Sequence, residues 1–397
     1  MASQLALHGG TPVRTRPFPA WPVFDTAEEE SLLKALRSGK WGSLEGEMVR
    51  TFEREFAQLH GARYGVTVVN GTMALAVALR ALGVGPGDEV LVPPYTFIAT
   101  ASAAFMVGAI PVFVDVDPET LLLDPAKIEA AVTPRTKAII PVHYGGCPAD
   151  MDRIMAAAKK HGLKVIEDAA QAHGASWRGQ MAGSIGDVGT FSFQSSKAMS
   201  AGEGGIMLTQ DPAVEELLWS LQNVGRRRGG EWYEHVRIGW NLRLTEFQAA
   251  ILLAQLKRLP AQLEARSRAA AYLTEQLSQI PGLHVPPVPE GVTAHGWHLF
   301  YCMWRGAAES GISKEHLVRA LNAEGIPVFG GYVPLNRNQA IIDEIARTGG
   351  TPPADCPVAE RAVADEILVF RMQMLHGTQD DLNDIVEALA KVTGVGA

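Results

Sequence analysis

Residues 191–205 read FSFQSSKAMSAGEGG. One lysine, Lys197, stands between a small polar run and a glycine-rich run. Strand-like residues flank it on both sides, VGTFSF before and GGIMLT after. A lysine held in a tight turn between two apolar strands is costly unless something uses it. Burial lowers a lysine pKa, and the neutral amine is a nucleophile. The alternative is a surface lysine on a hairpin turn.

Upstream the chain alternates. YGVTVV, EVLVP, IPVFVDV, KAIIPV and LKVIED are short β-branched apolar runs, as expected of strands buried on both faces. Helical patterns lie between them at 73–82, 98–107, 125–132 and 151–161. This alternation predicts a parallel sheet with right-handed crossovers. Ligands of such sheets sit beyond the carboxyl ends of the strands, so the strand ends are the places to look.

YGVTVV ends in Asn70-Gly71-Thr72 and runs into an alanine-rich helix. Gly71 and Thr72 then sit at a helix N-terminus, where backbone N–H groups and the dipole make an anion site. A plain glycine turn with a threonine cap reads the same way. EVLVP is followed by Phe97, an aromatic that either stacks on a flat ring at the sheet mouth or fills the core. LKVIED ends in Asp168, a carboxylate that is expensive at the end of an apolar strand unless it meets a cation. His173, five residues on, either packs near a ligand or satisfies a loop carbonyl.

Other segments frame these. Residues 1–22 are punctuated by prolines and read as an extended arm on the body or on a partner. Thr26 with Glu29 matches a capping box, and Gly39 ends that helix. A second helix carries Phe52, Phe56 and Leu59 on one face. Thr245 with Gln248 opens an amphipathic helix, and a long helix leads on from about Pro260. Arg226, Arg227 and Arg228 form either a solvated run or the rim of a site that attracts anions.

Composition narrows the function classes. The 397 residues, 47% hydrophobic and 20% charged, suit a folded protein of two or three domains with ample core. A net charge of −8 without an arginine stripe argues against nucleic acid. No apolar run reaches membrane-spanning length, and MASQLALHGG lacks a signal-peptide core. Three scattered cysteines (Cys147, Cys302 and Cys356) suggest reduced thiols and a cytoplasmic setting. His143 and Cys147 have no further ligand pattern around them, so no metal is expected.

Ser192-Phe193…Lys197…Gly202-Glu203-Gly204-Gly205 resembles the Ser-Phe-x-x-x-Lys…Gly-Glu-Gly-Gly signature of the DegT/DnrJ/EryC1/StrS family of sugar aminotransferases. The order Gly-Thr, aromatic, Asp-x-x-Gln, Ser-x-x-x-x-Lys is specific as a set, and the likeness runs from LALHGGTPVR to VEALAKV. It implies fold-type I, an α/β architecture: a large domain with a mostly parallel central sheet covered by helices, and a smaller α+β C-terminal domain. The expected limits are an arm at 1–22, the large domain at 23–260 and the small domain at 261–397. The resemblance implies pyridoxal 5'-phosphate (PLP) held as a Schiff base on Lys197. Gly71, Thr72 and Ser192 would hold its phosphate, Phe97 its ring face, Asp168 its ring nitrogen and Gln171 its phenolic oxygen. Asn241, in the segment matching Gly-x-Asn-x-Arg, would reach the phosphate of a neighbouring subunit, making a homodimer with shared sites. Glutamate or glutamine would give its amino group to the cofactor, and pyridoxamine 5'-phosphate would pass it to a keto-sugar or keto-cyclitol.

The opening segment and AGEGG look nearest the branch of cyclitol aminotransferases and aminohydroxybenzoate synthases, with nucleotide-sugar aminotransferases sharing the core. Two rivals stand beside these. A PLP-dependent sugar dehydratase has histidine where this chain has Lys197. A non-catalytic PLP sensor has no use for the full set of cofactor residues. The acceptor is read by variable loops, with the segment 226–233, His298 and Tyr332 as candidates.

Overall fold

The computed structural model describes residues 4–394. Its organising layer is a seven-stranded sheet in the order β1-β9-β8-β5-β4-β2-β3. The strands are β1 (Tyr64–Val68), β2 (Glu89–Val92), β3 (Ile110–Phe113), β4 (Thr136–Ile139), β5 (Lys164–Asp168), β8 (Val188–Ser192) and β9 (Gly205–Thr209). Between β5 and β8 the chain makes β6 (Ser176–Trp177) and β7 (Gln180–Met181), which join β11 (Val292–Ala294) in a small three-stranded sheet. β3, β2, β4, β5 and β8 run parallel, while β9 is antiparallel to both of its neighbours. The protein is α/β with a mostly parallel central sheet.

β1 departs from the expectation for strands buried on both faces. It is an edge strand, and its first two residues are only half-buried. Its apolar run reflects packing at its carboxyl half, where Val66 and Val68 enter the core.

Helices pack on this sheet, and their starts are set by local chemistry. α1 (Thr26–Ser38) is capped by Asp25, whose side chain accepts from Ala27, while Glu28 reaches back to the Asp25 N–H. The capping box is therefore Asp25/Glu28, one residue before the Thr26/Glu29 pair the sequence suggests. α2 (Met48–Leu59) buries Phe52 and Phe56 as expected, but Leu59 is 37% exposed at its end. α3 (Gly71–Ala81) follows β1, and α4 (Ala99–Met106) begins two residues after Phe97. The predicted helix at 125–132 is a 3-10 turn followed by the single-turn α5 (Ile128–Ala131). α6 (Met151–His161) and α7 (Pro212–Gln222) follow.

α8 (Glu246–Leu277) is one 32-residue helix that passes straight through Pro260. Its Thr245/Gln248 capping box matches the sequence pattern. The expected boundary after 260 falls inside it. Beyond α8 lies an antiparallel sheet, β10-β12-β14-β13, from Leu283–His284, Leu299–Trp304, Ile367–Arg371 and Val328–Phe329. The arm lies on the chain's own body. Leu5, Leu7, Val13 and Phe18 pack against the apolar cluster of this second sheet. Arg14 donates to Asp381 Oδ1 at 2.7 Å and to Asp384 Oδ2 at 2.6 Å.

Candidate active site

β5 and β8 end side by side, and the N-terminus of α3 meets them there. A cavity of about 530 Å³ opens at this edge. Gly71, Thr72, Phe97, Asp168, Gln171, Ser192 and Lys197 all border it, as do His298 and Tyr332. Gly71, Phe97, Asp168, Gln171, Ser192 and Lys197 share one wall because the strands before them deliver their carboxyl ends to the same edge, while His298 and Tyr332 come from segments flanking the second sheet.

The α3 end is built for close approach. Asn70 caps the helix by accepting from Met73 N at 2.9 Å. A Cβ on Gly71 would come within 2.8 Å of Ser192 Cβ, so only glycine lets the helix press against the end of β8. The first helical N–H groups then point outward with the positive end of the dipole. Ser192 stands beside them, buried, and its Oγ accepts from Gln194 N at 3.3 Å.

Asp168 is buried with one donor on each oxygen. Thr100 Oγ1 donates to Oδ2 at 2.9 Å and Ala170 N to Oδ1 at 3.2 Å. Burial nonetheless raises its pKa above the usual aspartate value, against the pull of these bonds and of Lys197. A carboxylate in that condition is stabilised by an arriving cation. Gln171 is fixed through its Oε1, which accepts from Gly145 N at 2.8 Å. The Phe97 ring is 55% exposed and borders the cavity, which removes the core alternative.

Lys197 lies in the turn between β8 and β9, its N–H donating to Gln194 O at 2.9 Å. Its carbonyl accepts from Trp21 Nε1 at 3.1 Å, so the arm reaches the site turn. Trp21 in turn stacks on His376, ring centroids 5.2 Å apart. Burial lowers the Lys197 amine to about 8, with Asp168 opposing the shift. The lysine borders the cavity and is not a solvated turn residue.

Other expectations resolve differently. His173 is buried behind the wall among Phe56, Phe191 and Phe193, which is a packing position. Asn241 does not border the cavity. It is exposed and bridges Asn223. Arg226 lies over Trp232 at 4.1 Å, Arg227 meets Glu234 at 3.3 Å, and Arg228 pairs with Glu215. Tyr233 beside them is 84% exposed, so this loop reads as a solvated run within one chain.

Several participants were not singled out from sequence. Thr100 orients Asp168, and Glu203 borders the cavity. Glu167 points to the opposite side of β5 from Asp168. It accepts from Gly183, Ile185 and Gly186 N–H groups at 2.7–2.8 Å and bonds His143 Nε2 at 2.9 Å. Ala149 N donates to His143 Nδ1 at 3.0 Å, so that nitrogen carries the lone pair and Nε2 the proton. Both His143 nitrogens are thereby committed. Among the described residues no group of three or more His, Cys, Asp or Glu side chains is placed to hold a metal.

A lysine amine, a buried carboxylate and a helix N-terminus around one cavity suit a phosphorylated aldehyde with a basic ring. The DegT/DnrJ/EryC1/StrS aminotransferase family profile matches residues 23–390. The chain belongs to that family. It is an α/β aminotransferase of the PLP-dependent kind. A Streptomyces kanamyceticus relative is 41% identical, covering 99% of this chain and 97% of its own. It carries the provisional name L-glutamine:3-amino-2,3-dideoxy-scyllo-inosose aminotransferase. The L-glutamine:2-deoxy-scyllo-inosose aminotransferase of Streptomyces lividus is 40% identical over 100% of this chain and 99% of its own. The crystal structure of 3-amino-5-hydroxybenzoic acid synthase superposes with a TM-score of 0.87 at 36% identity, covering 96% of this chain and 100% of that one.

The lowered Lys197 pKa has a direct readout in this aminotransferase. Apoenzyme mixed with PLP should form the visible-absorbing species at a rate that rises with pH up to about 8 and then levels off. At pH 7 roughly one amine in ten is neutral, and each further unit down costs about tenfold in rate. A rate that keeps climbing toward the ordinary lysine range would show that the amine is not perturbed.

Proposed function

We propose that this enzyme moves an amino group from L-glutamine to a keto-cyclitol in aminocyclitol biosynthesis. The observation that carries the reading is the meeting of Lys197, Asp168 and the α3 N-terminus in one cavity. The glutamine donor and the inosose-type acceptor in the relatives' names support the substrate classes.

In this reading PLP would be the cofactor, with pyridoxamine 5'-phosphate as its aminated form. The α3 N-terminus at Gly71 and Thr72 would hold the phosphate with Ser192. Phe97 would face the ring, Asp168 its nitrogen, Gln171 its phenolic oxygen, and Lys197 its aldehyde carbon. When bound, PLP supplies an electron sink for the carbon that loses a proton. Asp168 would keep the ring nitrogen protonated, and its own burial would make that pairing favourable. Lys197 Nζ would take a proton from the donor carbon and deliver one to the acceptor carbon. Its perturbed amine suits both directions near neutral pH.

The test is an amination screen of inososes and nucleotide keto-sugars, with glutamine and glutamate in parallel. Transfer from glutamine to an inosose is the expected outcome. Activity confined to nucleotide sugars or to glutamate would replace this reading.

The proposal extends to assembly and setting. We take the chain as an arm, a large part to 260 and a small part beyond it, with α8 shared between them. The homodimer is proposed to share its sites, with Asn241 reaching the neighbour's phosphate. Its exposed position away from its own cavity supports this. Mixing Lys197→Ala with Asn241→Ala would then place both lesions in one site of a hybrid and none in the other. Activity should return, up to about a quarter of wild-type sites, after subunit exchange. Asn241→Ala must itself be impaired, since a hydrogen bond to a charged group is worth about 1.5–3 kcal/mol. No recovery after confirmed exchange would place Asn241 in its own chain's service. Three buried free thiols support a reducing, cytoplasmic setting, and among the described residues no helix is long and apolar enough to cross a membrane.

A further inference from the structure

We propose that His298 receives the α-carboxylate of the amino donor, holding a proton while the carboxylate is in place. The inference rests on the donor reading above and adds the group that recognises that donor.

His298 borders the cavity that holds Lys197, yet it is only 5% exposed. Its Nδ1 is buried without a hydrogen-bond partner, and its ring makes no hydrogen bond among the described residues. Buried polar groups ordinarily find partners, so an unpartnered imidazole on a ligand cavity points to a ligand. Its position is held by backbone. His298 N donates to Gly145 O at 2.8 Å, and Gly145 N donates to Gln171 Oε1 at 2.8 Å. Trp297 before it is fixed at φ +46, and a Cβ on Gly146 would come within 2.7 Å of Trp297 N. Gly145 thus anchors two cavity residues, Gln171 and His298, and Gly146 beside it leaves them little freedom to shift.

The charge around the cavity then narrows the role. Asp168 and Glu203 repel a carboxylate, and Lys197 is committed to the aldehyde carbon. The α3 N-terminus is matched to a phosphate. No arginine borders this cavity among the described residues. His298 is the remaining group there that can take a positive charge. The groups facing it are Lys197 in the site turn, His173 after β5 and Arg266 on α8. With burial as the leading cause, these three hold the ring well below the ordinary histidine range, hence neutral before the donor binds. An incoming carboxylate acts in the opposite sense, because an opposite charge favours the protonated form. One N–H bond forms on the ring with a proton from solvent, and no other bond changes.

Two probes isolate the interaction. 4-Carbamoylbutanoate is glutamine without its amino group, and pentanediamide replaces its carboxylate with an amide. Calorimetry on the PLP-loaded protein should show preference for the carboxylate. His298→Asn and His298→Gln should both lose that preference by about tenfold or more while pentanediamide binding stays nearly unchanged. In the wild type, carboxylate binding should weaken as pH rises, since the free ring is neutral and the bound ring charged. The variants should lose that slope. Retention of the preference in both variants overturns the proposal, as does an equal loss of both probes or a defect confined to acceptor binding. If glutamine fails to bleach the visible band of the wild type, the donor reading falls and this inference with it. Bleaching together with an unchanged preference in the variants removes only the role of His298.

Discussion

Lys197→Ala is expected to abolish amino transfer and leave the fold intact. The residue occupies a turn, its backbone bonds to Gln194 and Trp21 do not involve the side chain, and alanine creates no clash there. In the proposed mechanism the nucleophile and the proton carrier would disappear together. General acid–base transfer alone contributes about 10²–10⁴-fold, so turnover should fall by at least about 10³-fold. The variant should still bind the cofactor through the α3 end, Asp168 and Gln171. Borohydride reduction of wild-type holoenzyme followed by peptide mapping should place the pyridoxyl group on Lys197. A label on another lysine ends this assignment.

Asp168→Asn carries the second-largest expected effect. The aspartate has two acceptor oxygens, each with its own donor, Thr100 on one and Ala170 on the other. Asparagine offers one acceptor and an NH₂ group, so one of those donors loses its partner. That costs about 1–3 kcal/mol, partly offset because a neutral amide is cheaper to bury than a carboxylate. The apoprotein should therefore melt close to the wild type. Catalysis should not survive as well, because the ring nitrogen loses its counter-charge in a water-poor site. Removing one such electrostatic contact costs about 10²–10³-fold in other enzymes. Single-turnover bleaching by glutamine measures this step directly. Near-normal rates would show that Asp168 is not the ring partner.

The strand ends were legible because each carries its own local signature: an apolar run, then a residue that an apolar run cannot bury cheaply. Asp168 and Lys197 stand out on those grounds, Gly71 as the start of the helix after its strand, and the family likeness put them in order. What the sequence could not carry is decided by packing between distant elements. DTAEEE fits a capping box in two registers, Asp25/Glu28 and Thr26/Glu29. The first is the one formed, with Arg258 on α8 bonding both Asp25 and Glu28. β1 reads as a central strand because apolarity does not encode strand order. The expected limit at 260 falls inside α8, because the helix opened at Thr245 and the helix expected from about Pro260 are one continuous element. His298 was one of several loop candidates, and only the cavity wall separates it from Tyr233, which faces solvent. Asn241 keeps its proposed role only through a neighbour that a single chain cannot reveal.

The arm has a consequence for the order in which the enzyme is made. Arg14 leaves the ribosome 367 residues ahead of Asp381, the carboxylate it pairs with. At synthesis rates of about 5–20 residues per second, that is a wait of roughly 20–70 s. Throughout it Leu5, Leu7, Val13 and Phe18 have no apolar surface to cover, since the sheet that receives them is not yet built. The bond from Trp21 to the Lys197 carbonyl waits for less of the chain, but the His376 ring on which Trp21 stacks arrives late. The arm is therefore made well ahead of the surfaces on which it docks. The turn that carries Lys197 gains its final brace only after His376 has been made, which leaves the nascent chain with an unbraced cavity and an apolar arm open to chaperones.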